Sequence, residues 1–122
     1  MMFATVSSSV GYIRTDQLRV LAVTTATRSD MLPDVPTVSE TVAGFEANDW
    51  YGLGVTKGTP ANIVGKLNME INAALADPTM KGRLAVLGGA PMPMTPVEFG
   101  KLMTNDAEKW SKVIRTAGIK AE

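Results

Sequence analysis

Two prolines set three positions apart constrain this chain more than any other feature. Pro33 and Pro36 interrupt the stretch Arg28-Ser-Asp-Met-Leu-Pro-Asp-Val-Pro-Thr-Val-Ser-Glu40. Each fixes φ at about −65° and disfavours helix at the residue before it, which pushes Leu32 and Val35 towards extended conformations. Strand-forming sequence precedes the stretch and helix-forming sequence dominates the chain beyond it, so it reads as a stiff, ordered crossing. Thr37 and Glu40 have the spacing of a capping box, which opens a short helix over 37–42 that Gly44 stops. By local chemistry alone this is a surface loop and one helical turn, with no catalytic constellation.

Before the crossing, residues 1–5 form a short apolar run that reads as a strand. Val6, Val10 and Ile13 then recur at helical spacing. The serines at 7, 8 and 9 stand near the start of that helix, where they either cap it or offer hydroxyls and amides to an anion. Residues 18–24, Leu-Arg-Val-Leu-Ala-Val-Thr, read as a buried parallel strand. Thr24 and Thr25 end it. The carboxyl ends of strands are where ligands sit in open α/β sheets, although threonines there also serve simply as turn formers.

After the crossing, residues 48–55 read as a strand carrying Trp50, Tyr51 and Leu53. Thr59 and Pro60 read as cap and first residue of a helix with one stripe at Ile63, Leu67, Ile71 and Leu75. Asp77 and Pro78 start a second helix, with Met80, Leu84 and Leu87 inward and Gly88-Gly89 at its end. Residues 90–94 read as a short edge strand, irregular because of Pro91 and Pro93. Thr95-Pro-Val-Glu98 is a capping box with proline at the first helical position. The helix it opens runs to Ala117, about 35 Å. Phe99, Leu102, Met103, Trp110, Val113 and Ile114 form its apolar side, and Gly118 suits the position after it.

Composition removes whole classes of chemistry. The chain of 122 residues has no histidine and no cysteine. A Ser-His-Asp triad, a thiol nucleophile, a disulfide and a histidine-based zinc site are therefore impossible from this chain's own residues. Twelve basic and twelve acidic residues cancel, and no Lys/Arg cluster marks a nucleic-acid binder. No metal site and no cofactor motif is expected: Asp16, Asp30 and Asp49 lack calcium-loop spacing, and Gly52 and Gly54 belong to no nucleotide-binding pattern. The length suits one compact domain. The opening Met1-Met2-Phe3 has no basic leader and no long apolar run, so the sequence as it stands reads as one that stays in the cytoplasm.

Several segments in fixed order carry a more specific signal: Leu18-Arg-Val-Leu-Ala-Val-Thr24, Arg28-Ser29, Leu32-Pro-Asp-Val-Pro-Thr-Val38, Glu40, Trp50-Tyr-Gly-Leu53, Gly58-Thr-Pro60, Leu67-Asn68, Glu70-Ile-Asn72, the Ala-Leu-Ala-Asp-Pro run at 74–78 and Ala117-Gly-Ile-Lys120. Together they closely resemble the carboxy-terminal part of the Bug/TctC family, the extracytoplasmic solute receptors of tripartite tricarboxylate transporters. The resemblance implies an α/β fold, part of a type II periplasmic-binding-protein (Venus flytrap) architecture whose amino-terminal half is missing. Residues 1–42 would be the end of the second lobe with its return crossing. Residues 43–122 would be the carboxy-terminal part of the first lobe. A hinge would lie in the crossing region, at Asp34 and Trp50.

The same resemblance implies a non-enzymatic receptor, periplasmic in location, that takes a small organic acid and hands it to the membrane components of a transporter. Thr5, Ser7, Thr24 and Thr25 become the ligand-binding candidates. One departure bears on the ligand. The family commonly has Phe-Asp followed by a small polar residue where this chain has Phe3-Ala4-Thr5, and Ala4 supplies neither charge nor hydrogen bond. The competing expectation is a non-binding α/β remnant that acts as an oligomerising interaction module, with a homo-oligomer as its consequence. A carboxylate-based hydrolase is a weaker third reading, because Asp34, Glu40, Asp77 and Glu98 all have structural explanations.

Overall fold

A computed structural model describes residues 1–120. Four helices form: α1 over Val6–Arg14, α2 over Ala61–Ala76, α3 over Pro78–Val86 and α4 over Pro96–Ala117, with a 3-10 turn at Val38–Glu40. The chain divides into two units. One comprises Met1–Gly54 and Pro78–Pro91, the other Val55–Asp77 and Met92–Glu122.

The first unit is organised on the crossing. Val23 and Thr37 form an isolated parallel bridge. The Val23 N–H donates to Pro36 O and the Val38 N–H donates to Val23 O, each at 2.9 Å. Thr24 O then accepts the Ala47 N–H at 3.0 Å, so residues 23–24 are held from two later parts of the chain. Val23 and Thr37, 6% and 4% exposed, are the buried residues among those described. The capping box at Thr37 forms as its spacing predicts, with Glu40 accepting the Thr37 N–H at 3.0 Å. The helix it opens is shorter than residues 37–42, a single 3-10 turn, and Gly44 at φ 77° comes after it.

The turn after α3 meets the first residue of α1 in this unit. Gly88 sits at φ 78°, and a Cβ there would stand 2.6 Å from Val6 Cγ1. Only a glycine allows both the left-handed turn and this approach. The Gly89 N–H returns to Leu84 O at 2.9 Å, which ends the helix.

In the second unit α2 packs on α4. The half-buried side of α2 is Val64, Asn68, Ile71, Asn72 and Leu75. It is therefore turned from the expected stripe: Ile63 and Leu67 remain 47% and 44% exposed. The reason is polar. The Asn68 and Asn72 carboxamides both donate to Met94 O, at 2.8 and 3.0 Å, and Asn72 Oδ1 accepts the Met94 N–H at 3.3 Å. These bonds hold the asparagine side against the segment before α4. Thr59 does not cap α2 as expected. Its hydroxyl donates to Thr56 O at 2.8 Å, and Pro60 occupies the cap position.

α4 begins and ends as its sequence predicts. The Thr95/Glu98 box is complete, with Thr95 Oγ1 accepting the Glu98 N–H at 3.2 Å and Glu98 accepting the Thr95 N–H at 2.8 Å. The Thr95 N–H and then the Thr95 hydroxyl, both donating to it, hold the Glu98 carboxyl below its usual range. Gly118 stands at φ 66° beyond the last turn, and the Ile119 N–H reaches back to Ile114 O. Phe99 and Leu102 are half-buried, whereas Met103, Trp110, Val113 and Ile114 are exposed. On α3 Leu84 is half-buried and Met80 exposed; Leu87, just beyond the helix, is exposed.

The expected strands at 1–5, 18–24, 48–55 and 90–94 do not form ladders; the Val23–Thr37 bridge is the β pairing among the described residues. Residues 1–4, 19–22, 51–55 and 90–93 make no backbone hydrogen bond with another described residue. A helix closes its bonds within its own segment, but a strand needs a second strand alongside it.

Candidate ligand-binding site

Thr5 and Ser7 meet at the start of α1. Thr5 is the N-cap, at φ −70° and ψ 148°, and its Oγ1 accepts the Ser8 N–H at 3.3 Å. Its hydroxyl donates to Ser8 Oγ and lies 3.0 Å from Ser7 Oγ. With the single Thr5 proton given to Ser8, Ser7 is the donor of its pair. Ser8 and Ser9 donate in turn to Thr5 O, at 2.9 and 2.8 Å. Four neighbouring hydroxyls thus form one local network around a helix N-terminus. Helix geometry leaves the first-turn amides of Val6 and Ser7 without intrahelical partners, aimed along the axis where an anion is favoured.

A hollow of about 270 Å³ lies beside this network, lined by Met2, Ala4, Ser8, Ser9, Tyr12, Gln17 and Leu18. No lining residue is charged. Recognition here would rest on hydroxyls, a carboxamide and a phenol, not on an ion pair. Sequence reasoning singled out the serines as a group but missed Tyr12 and Gln17. Tyr12 stands one helical turn after Ser8, a spacing that puts both on one face. Gln17 is brought in by the chain's return at the end of α1, where its N–H bonds Tyr12 O at 2.9 Å. Asp16 makes that return at φ 55°, a conformation its sequence context did not announce.

Thr24 and Thr25 are half-buried at the end of residues 18–24. Thr25 Oγ1 donates to Thr27 O at 2.6 Å, so its proton is engaged in a turn. Thr24 is fixed through its carbonyl to Ala47, and its hydroxyl makes no hydrogen bond to another described residue. Asp34 is exposed in the turn between the two prolines, near enough to Arg28 to favour that guanidinium's charge. Trp50 is half-buried outside regular secondary structure. A larger hollow, about 680 Å³, is lined by Met103, Thr104, Ala107, Glu108, Ser111, Lys112 and Arg115. All of them belong to α4, so it is one side of a helix and encloses nothing. Among the described residues no cluster of acidic side chains could hold a metal ion, and no helix is long and apolar enough to cross a membrane.

Comparison with known proteins places this geometry in a family. The chain is 37% identical over 116 residues to the "UPF0065 protein in tcbD-tcbE intergenic region" of Pseudomonas sp. and 33% identical over 110 residues to the protein BugT of Bordetella pertussis. Those alignments cover 93% and 89% of this chain but 34% of each relative, so the chain spans about a third of their length. Among solved structures, the R. palustris protein Rpa4515 with adipate superposes at a TM-score of 0.83 with 32% identity, and the periplasmic binding protein BugD at 0.81 with 30%. Each superposition covers 93% of this chain, and 38% and 39% of the neighbours. The fold is thus part of a periplasmic-binding-protein fold. The model of the tripartite tricarboxylate transporter receptors, TctC, matches residues 1–119, and the chain belongs to that family.

Proposed function

We propose that this chain carries part of a receptor cleft for small organic carboxylates and performs no catalysis. The observation that carries this reading is the likeness to Rpa4515, which was solved with adipate, at 32% identity over 93% of the chain. The hydroxyl network of Thr5, Ser7, Ser8 and Ser9 supports it, because such a network at a helix N-terminus can hold a carboxylate without a full positive charge. Thr24 and Thr25 are the second set of candidate contacts. Ala4 lines the hollow beside Ser8 and Ser9, so a ligand that relied on an acidic side chain at this place would be disfavoured. Residues 1–42 would belong to the second lobe of the receptor and 43–122 to the first, with Asp34 and Trp50 in the hinge region. The receptor would work in the periplasm and deliver its acid to transporter membrane components.

Thermal denaturation against a panel of mono-, di- and tricarboxylates, adipate among them, tests the reading. A ligand held by the folded state alone at a hundred times its Kd raises stability by about 2.7 kcal/mol. A selective rise that Thr5→Val abolishes is the expected result. No rise with any acid, in this chain or in a receptor completed with the rest of the fold, would defeat it.

A second reading is an oligomerising interaction module that binds no ligand. Phe3 and Tyr51, 79% and 90% exposed, favour it, since exposed apolar side chains promote association. Light scattering that finds a monomer at high concentration would count against it.

A further inference from the structure

Residues 24–27 form a short loop that the crossing holds at both ends. At the near end Val23 is bridged to Thr37, and Thr24 O takes the Ala47 N–H. Beyond Thr24, no backbone group of residues 25–28 bonds another backbone group of the described residues. The hydrogen bonds at the far end come from a side chain. Arg28 places Nε and Nη2 on the two Glu40 oxygens and Nη1 on Pro33 O. Glu40 Oε1 in turn accepts the Thr37 N–H at 3.0 Å. The two anchors of the loop therefore meet at Thr37, which is 4% exposed.

Stability is a partial account of this ion pair. Its side chains are 47% and 43% exposed, and a pair so open to water contributes modestly to folding. Geometry accounts for more. A guanidinium fork on a carboxylate fixes distance and orientation together, and Pro33 and Pro36 stiffen the segment that it grips. The loop held in this way carries Thr24 and Thr25, both half-buried. The Thr24 hydroxyl makes no hydrogen bond to another described residue, which leaves it for a ligand. We infer that Arg28 and Glu40 are positioning residues for the contacts at Thr24 and Thr25, and that they act on the ligand through the loop and not by touching it. The inference rests on the carboxylate reading for its ligand, but the hold on the loop is measurable without one.

Glu40→Gln separates the tie from the cap. A glutamine oxygen still accepts the Thr37 N–H, while the two-pronged ion pair is lost. In NMR relaxation of the ligand-free chain, order parameters at residues 25–28 should fall below about 0.6, with Val23 and Val38 kept near about 0.85. Arg28→Gln should give the same pattern. Unchanged order parameters at 25–28 overturn the proposal. So does equal loosening at Val23 and Val38, which would make the pair a general stabiliser. Titration with adipate, at a temperature where every variant is folded, reads the effect on binding. Glu40→Gln should weaken it roughly tenfold, because the loop must then be ordered as the ligand binds. The same change should cost less in a Thr24→Val background, where the hydroxyl it positions is gone. Undiminished affinity in Glu40→Gln, or a loss that adds in full to that of Thr24→Val, overturns the positioning role. A wild-type chain that takes no carboxylate defeats the carboxylate reading instead, and the order parameters then uphold or overturn the hold on the loop by themselves.

Discussion

The Arg28 guanidinium grips the Glu40 carboxylate with two bonds, Nε to Oε1 at 2.9 Å and Nη2 to Oε2 at 2.8 Å. The same guanidinium donates through Nη1 to Pro33 O at 3.3 Å, and the same carboxylate accepts the Thr37 N–H. The two ends of the crossing are thus tied together, with the proline turn fastened to the knot.

This tie sets an acid dependence. The Arg28 hydrogen bonds, followed by the Thr37 amide, hold the Glu40 pKa at about 2, against an ordinary value near 4.5. A depressed carboxylate pKa contributes stability that is fully present above the unfolded value and lost as pH falls through the folded one. The melting temperature should therefore decline from about pH 4.5 down to about pH 2. Glu40→Gln should flatten that part of the profile, with its largest effect near neutral pH. Because both side chains are partly open to water, at 47% and 43% exposure, high salt should reduce the difference. Arg28→Lys should recover little, since an ammonium cannot make the two-pronged contact.

Asn72 links α2 to the segment before α4 through both halves of its carboxamide. Asn72→Ala should cost about 1–2 kcal/mol, because it leaves the Met94 N–H without its partner and removes one of two donors from Met94 O. Asn68→Ala should cost less, as Asn72 still reaches that carbonyl. Denaturant unfolding of the two single variants and the double variant would separate the contributions. Equal costs would show that the Met94 N–H bond contributes nothing.

Gly88→Ala should be among the more damaging small substitutions, at roughly 1–3 kcal/mol, since it combines a left-handed backbone with a new methyl inside contact distance of Val6. Pairing it with Val6→Ala removes the Cγ1 atom that the methyl meets. The double variant should then be more stable than the sum of the single costs predicts. Strict additivity would place the whole effect in the backbone.

Thr95→Ala should destabilise by about 1 kcal/mol through loss of the cap at the start of α4. Far-ultraviolet circular dichroism on heating should register it as an earlier loss of helix. An unchanged melt would mean that packing against α2 alone holds the first turn.

Local features were the ones readable in the sequence. The Thr95/Glu98 box, Pro96, Gly118, the Thr37/Glu40 box and the Asp77-Pro78 break concern bonds closed within a few residues, and each appears where its spacing indicates. The stretches at 1–5, 18–24, 48–55 and 90–94 were legible as strand-like in composition, but a ladder depends on a distant partner. Val23 finds one in residues 36–38; Tyr51 to Gly54 find none among the described residues. The orientation of α2 was misread for a similar reason. Its apolar spacing favours Ile63 and Leu67, while two carboxamides reaching Met94, more than twenty residues away, turn another side inward. In the candidate site, Thr5 and Ser7 came from the family resemblance, as the polar residues nearest Phe3-Ala4. Tyr12 needed the helical period, and Gln17 needed the left-handed turn at Asp16, which the sequence did not disclose.

The bridge between Val23 and Thr37 also sets a timescale. The Val23 and Val38 amides are bonded across the crossing, around the two buried residues among those described. Exchange at either proton requires its bond across the crossing to open. Deuterium uptake at those two amides therefore meters the opening of the crossing, while residues 19–22, whose amides bond no other described residue's backbone, should label sooner.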